Sequence, residues 1–153
     1  MSIRLSQATL DVLHAHAREA YPDECCGMVV ERAGAQHVER VTNIQNQLHE
    51  QDPQQFPRTA AIAYTMGREA APVLMAAERG KLTLRAIYHS HPDHDAYFSA
   101  EDRTQAMGGW DEPNYPAAAQ IVISVRGGEV RATKAFICDA TLRDFIETAL
   151  VVE

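Results

Sequence analysis

The chain is poor in cysteine, and the few cysteines it has exclude a disulfide-stabilised protein. Its 153 residues include three, Cys25, Cys26 and Cys138, an odd number of which two are adjacent. Such a set forms no disulfide framework and suits a reducing compartment. The first residues also lack the apolar segment that is typical of a secretory signal. We therefore expect a cytoplasmic protein.

Basic residues are also scarce, since 14 lysines and arginines face 21 acidic residues and the formal net charge is −7. Nucleic acids and anionic lipid surfaces bind clustered basic residues, and the sequence contains no basic run. Its longest apolar run is too short to span a membrane. We therefore expect neither a nucleic acid nor a membrane as a partner.

The composition is that of a folded protein, with 46% hydrophobic and 23% charged residues. A length of 153 residues is typical of one domain with its own core. We therefore predict a single domain over residues 1–153.

Local patterns predict interleaved helices and strands. Ser6 is a candidate N-cap for a first helix that ends at Pro22. The helix predicted over 99–107 ends at Gly108 and Gly109. The interleaving indicates an α/β or α+β domain with a mixed sheet. Strands are predicted over 26–31, 37–43, 60–66 (or a helix start there), 82–89, 119–125 and 130–138, helices also over 68–79 and 140–150, and a loop over 45–58.

Two histidines, His89 and His91, stand at the end of a predicted strand. Residues two apart in an extended segment point to the same face, about 6.5–7 Å apart, so both imidazoles can reach one zinc ion. Pro92 cannot donate to a sheet, which places the pair where the strand runs into a loop. Asp102 follows at a distance that lets the loop turn back and supply a third ligand.

Three such ligands leave one position of a tetrahedral zinc ion free for water, whose pKa falls to about 7 when bound. A hydrolytic site also needs a carboxylate that is not a ligand, to take the proton from water and pass it to the leaving amine. Glu24, between the first helix and the first strand, is the candidate. The hydroxyl of Ser99 is a candidate donor to an oxyanion, a role worth about 3–4 kcal/mol.

Each of these residues also has a simpler explanation. A His-x-His pair is more often structural or exposed than metal-binding, and Glu24 alone is an acidic residue at a helix end. Ser99 and Asp102 also fit a capping box at the start of a helix, which is compatible with a ligand role for Asp102. Cys25 and Cys26 are most simply small buried residues at a strand start. The combination of residues therefore carries the metal hypothesis.

The full pattern resembles the JAMM, or MPN-plus, metallopeptidase family. That family has an upstream glutamate, then His-[Ser/Thr]-His, seven residues, Ser, two residues and Asp. The chain has Glu24, His89-Ser90-His91, the seven residues 92–98, then Ser99 and Asp102. The resemblance extends over residues 5–140. Other residues that match small prokaryotic members are Pro22-Asp23-Glu24-Cys25-Cys26-Gly27, Asn43, Tyr88 and Ala135-Phe136.

The resemblance implies that His89, His91 and Asp102 bind one zinc ion per chain. It also implies that Glu24 acts as general base and then acid, and that Ser99 stabilises the tetrahedral intermediate. The implied fold is a mixed sheet flanked by helices, related to cytidine deaminases. Members of this size are similar to bacterial enzymes that release a cysteine or an extension from the C-terminal Gly-Gly of ubiquitin-like sulfur-carrier proteins. The implied function is a zinc-dependent peptidase or isopeptidase whose partner is such a tail.

The chain departs from many relatives at Phe98, preceded by Tyr97, where they have proline before the motif serine. We expect the loop over 93–98 to line the substrate channel and the Gln-rich stretch 45–58 to contact the substrate tail. The alternative enzymes are a deubiquitinase-like or general peptidase and a hydrolase of a peptidoglycan-type amide. The non-enzymatic alternative is a scaffold that has lost its metal, which the intact ligand set disfavours. Nucleobase deamination would need His-x-Glu and Pro-Cys-x-x-Cys, which the sequence lacks.

Overall fold

The computed structural model describes residues 2–108 and 112–153. Over these residues the chain forms one seven-stranded mixed sheet and four helices, which confirms the predicted fold class. None of the described helices is long and apolar enough to cross a membrane. The strands are β1 (Ser2–Leu5), β2 (Cys26–Arg32), β3 (Ala35–Val41), β4 (Thr83–Pro92), β5 (Ala119–Arg126), β6 (Glu129–Asp139) and β7 (Asp144–Val152), and the helices are α1 (Gln7–Ala20), α2 (Gln45–Gln51), α3 (Ala70–Glu78) and α4 (Ala100–Ala106).

The sheet has the strand order β1-β7-β6-β5-β4-β2-β3. Strand β4 lies inside it, antiparallel to β2 and parallel to β5. Its residues from Ala86 to Pro92 are all buried, because both faces of the sheet are covered. A buried central strand of this kind holds its last residues in fixed positions, and those residues include both predicted histidine ligands.

Helices cover the two faces of the central strands. Leu13 and Ala17, one turn apart on α1, pack against Ile121 of β5. On the opposite face, Leu74 of α3 packs in the cluster that contains Ile87 of β4. The fully buried Leu13 contributes about 1.5–3 kcal/mol to folding. Helices α1 and α3 therefore cover β4 on opposite faces of the sheet.

Most predicted elements are confirmed with small shifts at their ends. Ser6 is the N-cap of α1, where its hydroxyl accepts a hydrogen bond from the Thr9 N–H. Helix α4 ends at Ala106, one residue before the predicted end, and Gly109 lies outside the described residues. Strand β4 is longer than predicted and ends at Pro92, so the strand itself carries both histidines.

The predicted helix over 140–150 is wrong, because this segment forms a turn followed by β7. Its β-branched and aromatic residues favour a strand once partners are available. Strand β7 pairs with β6, with Phe145 opposite Cys138, and on its other side runs parallel to β1. Strand β1 was not predicted, since four residues give too short a pattern and its partner β7 lies at the far end of the chain.

The predictions for the segment between β3 and α3 are wrong in part. Residues 45–51 form helix α2 instead of a loop, whereas residues 52–58 contain no helix or strand, as predicted. Residues 60–66 form a turn over 60–62 followed by irregular backbone, with a single bridge between Met66 and Asn43. The buried side chain of Gln45 accepts a hydrogen bond from the Thr65 hydroxyl at 2.7 Å and donates one to the Arg58 carbonyl at 3.0 Å. These long-range bonds hold the segment against α2.

Candidate metal centre

The end of β4 brings His89 and His91 together. They lie two residues apart on one face of the strand, and their Nε2 atoms are 3.1 Å apart. Asp102, in the first turn of α4, places Oδ1 3.1 Å from Nε2 of His89 and Oδ2 3.1 Å from Nε2 of His91. All three residues are buried, and they form the group of potential metal ligands found in the described part of the chain.

The spacing of these atoms fits a metal ion. Ligands bound at about 2.0–2.1 Å to a tetrahedral zinc ion lie about 3.3 Å from one another. Nδ1 of His91 lies 2.8 Å from the Asp95 carbonyl oxygen, which can only accept, so Nδ1 carries a proton. Nε2 of His91 therefore faces the Asp102 carboxylate, and either a proton on Nε2 or a metal ion between the two groups stabilises this contact.

The pKa shifts of Asp102, His91 and His89 also fit a site that could hold a metal ion. Burial opposes the charge of Asp102, but hydrogen bonds from His89 and His91 outweigh it and hold the pKa of Asp102 well below its usual range. Burial likewise opposes a charge on His91, yet Asp102 and the Asp95 carbonyl raise the pKa of His91. For the deeper His89, burial prevails and lowers the pKa. The site therefore keeps an ionised carboxylate beside two imidazoles.

A helix cap fixes the third ligand. The hydroxyl of Ser99 accepts a hydrogen bond from the Asp102 N–H at 3.0 Å, and the Asp102 carboxylate accepts one from the Ser99 N–H at 3.0 Å. This is the predicted capping box, and it coexists with the ligand position of Asp102. The capping interpretation is therefore confirmed, and the cap leaves the Asp102 carboxylate beside the two histidines, where it could hold a metal ion.

Glu24 reaches the same site through the pairing of β2 with β4, which places Cys26 opposite His89. Its backbone is held on both sides. The Glu24 N–H donates to the Ala60 carbonyl at 2.8 Å, and the Asn43 amide donates to the Glu24 carbonyl at 2.9 Å. The next N–H, of Cys25, donates to the Ser90 hydroxyl at 2.8 Å. Ser90, between the two histidines, thus ties Glu24 to the strand of the ligands.

The Glu24 side chain is 6% exposed, and its Oε1 has no hydrogen-bond partner in the described structure. Burial raises the pKa of Glu24 to about 8, Asp102 adds to the rise, and the charges of His91 and Arg58 oppose it. Glu24 lines a cavity of about 370 Å³. The other lining residues are Arg58, Ile62, His91, His94, Tyr97, Ser99, Ala100, Glu101 and Asp102.

A family comparison identifies this arrangement. The family of prokaryotic homologs of the JAB domain, Prok-JAB, matches residues 6–135, and the match includes every residue of the site. The chain belongs to the Prok-JAB family. The predicted resemblance to JAMM/MPN proteins is thereby confirmed at the level of the domain. This family includes metallohydrolases, and the buried His-His-Asp group of this Prok-JAB domain can hold a metal ion.

One curated protein is similar to this chain in sequence. The Prok-JAB domain is 31% identical over 127 residues to tail tip assembly protein K of Escherichia phage N15, a match that covers 80% of this chain and 45% of that protein. The chain therefore spans less than half the length of this curated relative.

Solved structures show the same fold. A protein from Desulfitobacterium hafniense has a TM-score of 0.69 at 21% identity, covering 100% of this chain and 93% of that one. A protein from Salinibacter ruber has a TM-score of 0.61 at 25% identity, with 99% and 91% covered. A JAB1/MPN domain protein from Archaeoglobus fulgidus has a TM-score of 0.57 at 14% identity, with 99% and 98% covered.

Two contacts of the Prok-JAB site have no signature in the sequence. The ring of Tyr64 stacks on His89, with centroids 4.7 Å apart and planes inclined by 27°. Tyr64 belongs to the segment 60–66, for which a strand was predicted, and that prediction gave no indication of a contact between Tyr64 and His89. The Asp95 carbonyl that orients His91 is a backbone group, which any residue type would supply.

The loop over 93–98 lines the cavity only in part. Tyr97 is 53% exposed and meets the His91 ring edge to face at 5.3 Å, and His94 also lines the cavity. Phe98, in contrast, turns inward and packs against Phe136 and Phe145. The residue that replaces proline therefore anchors the loop to the core.

Proposed function

We propose that this Prok-JAB domain is a zinc-dependent peptidase that hydrolyses the amide bond after the C-terminal Gly-Gly of a ubiquitin-like sulfur-carrier protein. The observation that carries the proposal is the convergence of His89, His91 and Asp102 beside the buried carboxyl group of Glu24. A set of two imidazoles and one carboxylate is typical of catalytic zinc sites, which keep one position open. We propose one zinc ion per chain.

His89 and His91 would hold the ion through Nε2, and Asp102 through its carboxylate. Bound there, zinc supplies the Lewis acidity that activates water and polarises a carbonyl group. The protein residues around it then divide the remaining work between proton transfer and stabilisation of developing charge.

Glu24 moves the proton. Its carboxylate takes a proton from the attacking water and delivers it to the amine that leaves. A buried acid whose pKa is raised can do both, because neither its charged nor its neutral form is strongly favoured near neutral pH. The backbone contacts of Glu24 with Ala60 and Asn43 hold it on the cavity wall during the transfer.

Ser99 stabilises the oxyanion. Its Oγ accepts the hydrogen bond of the Asp102 N–H, which leaves the hydroxyl proton to be donated into the cavity that Ser99 lines. The cap thereby orients the hydroxyl before the substrate arrives. Preorganised donors of this kind stabilise the charge that develops on the scissile carbonyl oxygen.

The size of the cavity supports a Gly-Gly tail as substrate. A volume of about 370 Å³ next to His91 and Asp102 is at the small end of the range of ligand pockets, and it can accept a narrow Gly-Gly tail. Cys25, Cys26 and Cys138 are free thiols, which suits the reducing cytoplasm in which we place the reaction.

The test is metal analysis of the native protein combined with cleavage of a sulfur-carrier protein that is extended beyond its Gly-Gly. We expect about one zinc per chain and loss of the extension, read by intact mass, with no cleavage of unrelated peptides. Asp102→Ala is the matched inactive control. A protein that carries zinc but leaves the extended carrier intact would overturn the substrate assignment, and one without zinc would favour the scaffold alternative.

The phage relative supports a second candidate function. The 31% identity to tail tip assembly protein K leads us to propose, as the alternative, that the domain acts in the assembly of a phage tail tip. The two candidates differ in their partners. Stable binding or cleavage of a tail protein, together with inactivity on extended carriers, would favour the alternative.

A further inference from the structure

We propose that Arg58 binds the α-carboxylate of the leaving amino acid, so that the site removes a single C-terminal residue. This inference rests on the proposed peptidase function and narrows its substrate to chains whose scissile bond precedes the last residue. It disfavours isopeptides and long extensions.

Arg58 stands where two cavities adjoin. It lines the cavity of about 370 Å³ that contains Glu24, His91 and Asp102, and also a neighbouring one of about 350 Å³. Of the described residues that line the first cavity, Arg58 is the one with a permanent positive charge. Apart from the proposed zinc ion, a ligand in this cavity therefore meets one fixed positive charge among the described lining residues, and a carboxylate is the group that matches it.

The guanidinium is weakly engaged within the protein. Its Nη2 lies 3.9 Å from Oε2 of Glu101, and the two side chains are 47% and 48% exposed. This separation is too long for a hydrogen bond, and exposed pairs of this kind contribute about 0–1 kcal/mol. A substrate carboxylate that forms two parallel N–H···O bonds would outcompete Glu101.

The position of Arg58 relative to Glu24 matches the leaving group. Arg58 and Glu24 line the same cavity, together with His91 and Asp102. In the reaction the C–N bond breaks, water supplies the oxygen of the new glycine carboxylate, and Glu24 passes the proton of that water to the amine. In a free amino acid the carboxylate lies only one carbon atom away from that amine nitrogen, so an amine that receives its proton from Glu24 brings the carboxylate into the cavity that Arg58 also lines.

Other leaving groups lack this contact. A longer extension has a neutral amide where the carboxylate would be, and a lysine side-chain amine carries its α-carboxylate several bonds away. Loss of charge-assisted hydrogen bonds to Arg58 lowers the rate about 10- to 100-fold. The role of Arg58 is therefore measured as the ratio of the cleavage rates of two substrates that differ only in the C-terminal carboxylate.

The experiment uses one sulfur-carrier protein ending in Gly-Gly-Ala, prepared with a free C-terminal carboxylate or as the carboxamide. For the wild-type protein we expect kcat/KM to be about 10- to 100-fold higher for the free acid. Arg58→Gln should bring the ratio close to one with the zinc content unchanged, and Arg58→Lys should restore part of it. Arg79→Gln, which changes an exposed arginine in the turn after α3, is the matched control and should keep the wild-type ratio.

A second variant should improve binding of the free-acid substrate, which a general loss of protein stability cannot do. Glu101→Gln removes the competing partner of Arg58 and should lower KM for the free acid several-fold. Equal cleavage of acid and amide by the wild-type protein, or an unchanged ratio in Arg58→Gln, overturns the role of Arg58 and leaves the peptidase function standing. Cleavage of neither substrate overturns both proposals.

Discussion

Ser99 and Asp102 hold each other at the start of α4 through two reciprocal hydrogen bonds, each 3.0 Å long. The same Asp102 oxygen that accepts from the Ser99 N–H lies 3.1 Å from Nε2 of His91. Helix capping and ligand placement are therefore one structural unit, because the cap fixes the direction in which the carboxylate points.

Replacement of Ser99 by alanine tests this unit. Ser99→Ala should lower the free energy of unfolding by about 1 kcal/mol through loss of the cap, or about 2–4 °C in Tm. It should weaken zinc binding, and turnover should fall by about 10²–10³-fold because the oxyanion donor is lost. Ser99→Thr keeps the hydroxyl and is the control. Wild-type turnover in Ser99→Ala would rule out the oxyanion role.

The ligand set predicts which variants lose metal. His89→Ala and Asp102→Ala should each abolish stoichiometric zinc binding, because a buried site with two ligands cannot complete a tetrahedral shell. Atomic emission measures the metal content. His94→Ala, an exposed histidine beside the cavity, should keep its zinc. Full zinc occupancy in both ligand variants would refute the set.

Glu24 should separate metal binding from turnover. Glu24→Ala and the closer mimic Glu24→Gln should keep zinc, since Glu24 lies outside the ligand group, yet lose about 10²–10⁴-fold in kcat for want of a proton acceptor. Cleavage of an extended carrier, read by intact mass, gives the rate. Activity close to that of the wild-type protein would show that another group moves the proton.

Burial of Glu24 predicts a pH-dependent stability of the metal-free protein. The pKa of Glu24 is about 8 when folded, against 4.5 for an ordinary glutamate. As the pH rises between these values, the unfolded chain releases the proton first, so ionisation of Glu24 increasingly favours unfolding. The Tm advantage of Glu24→Gln over the wild-type protein should therefore be small near pH 5 and grow towards pH 8. Because each pKa unit corresponds to about 1.4 kcal/mol, the stabilisation of Glu24→Gln over the wild-type protein should reach about 5 kcal/mol, or ~10–20 °C in Tm, and then level off.

Thermal scans of chelator-treated protein at several pH values measure this advantage. Glu78→Gln changes an exposed glutamate of α3 and should show a Tm difference that does not depend on pH. An advantage of Glu24→Gln that shrinks as the pH rises would contradict the burial of Glu24 as an unpaired acid.

Features that depend on near neighbours in the chain were predictable. The alternation that puts His89 and His91 on one face is a property of any strand, and the Ser99–Asp102 cap spans three residues. The buried strands β4 and β5 were also predictable, because they are rich in apolar and β-branched residues. In each case the covalent chain already holds the partners close together.

Edge elements were not predictable in the same way. Residues 144–152 have a pattern that allows a helix, and β6 and β1 decide for a strand by offering hydrogen-bond partners on both sides. Residues 60–66 form a single bridge, between Met66 and Asn43, and otherwise a turn and irregular backbone. Intrinsic preference is a weak guide where the available partners differ so much.

The sequence by itself determined the chemistry of the centre, because the types and spacings of His89, His91, Ser99 and Asp102 follow from the local geometry of a strand and a capped helix. Only the tertiary structure decided what surrounds them. The pairing of β2 with β4 carries Glu24 to the ligands, and the fold of residues 52–66 sets Arg58 and Tyr64 beside them. These contacts join residues that are far apart in the chain. They therefore depend on long-range packing, which local secondary-structure propensity does not describe.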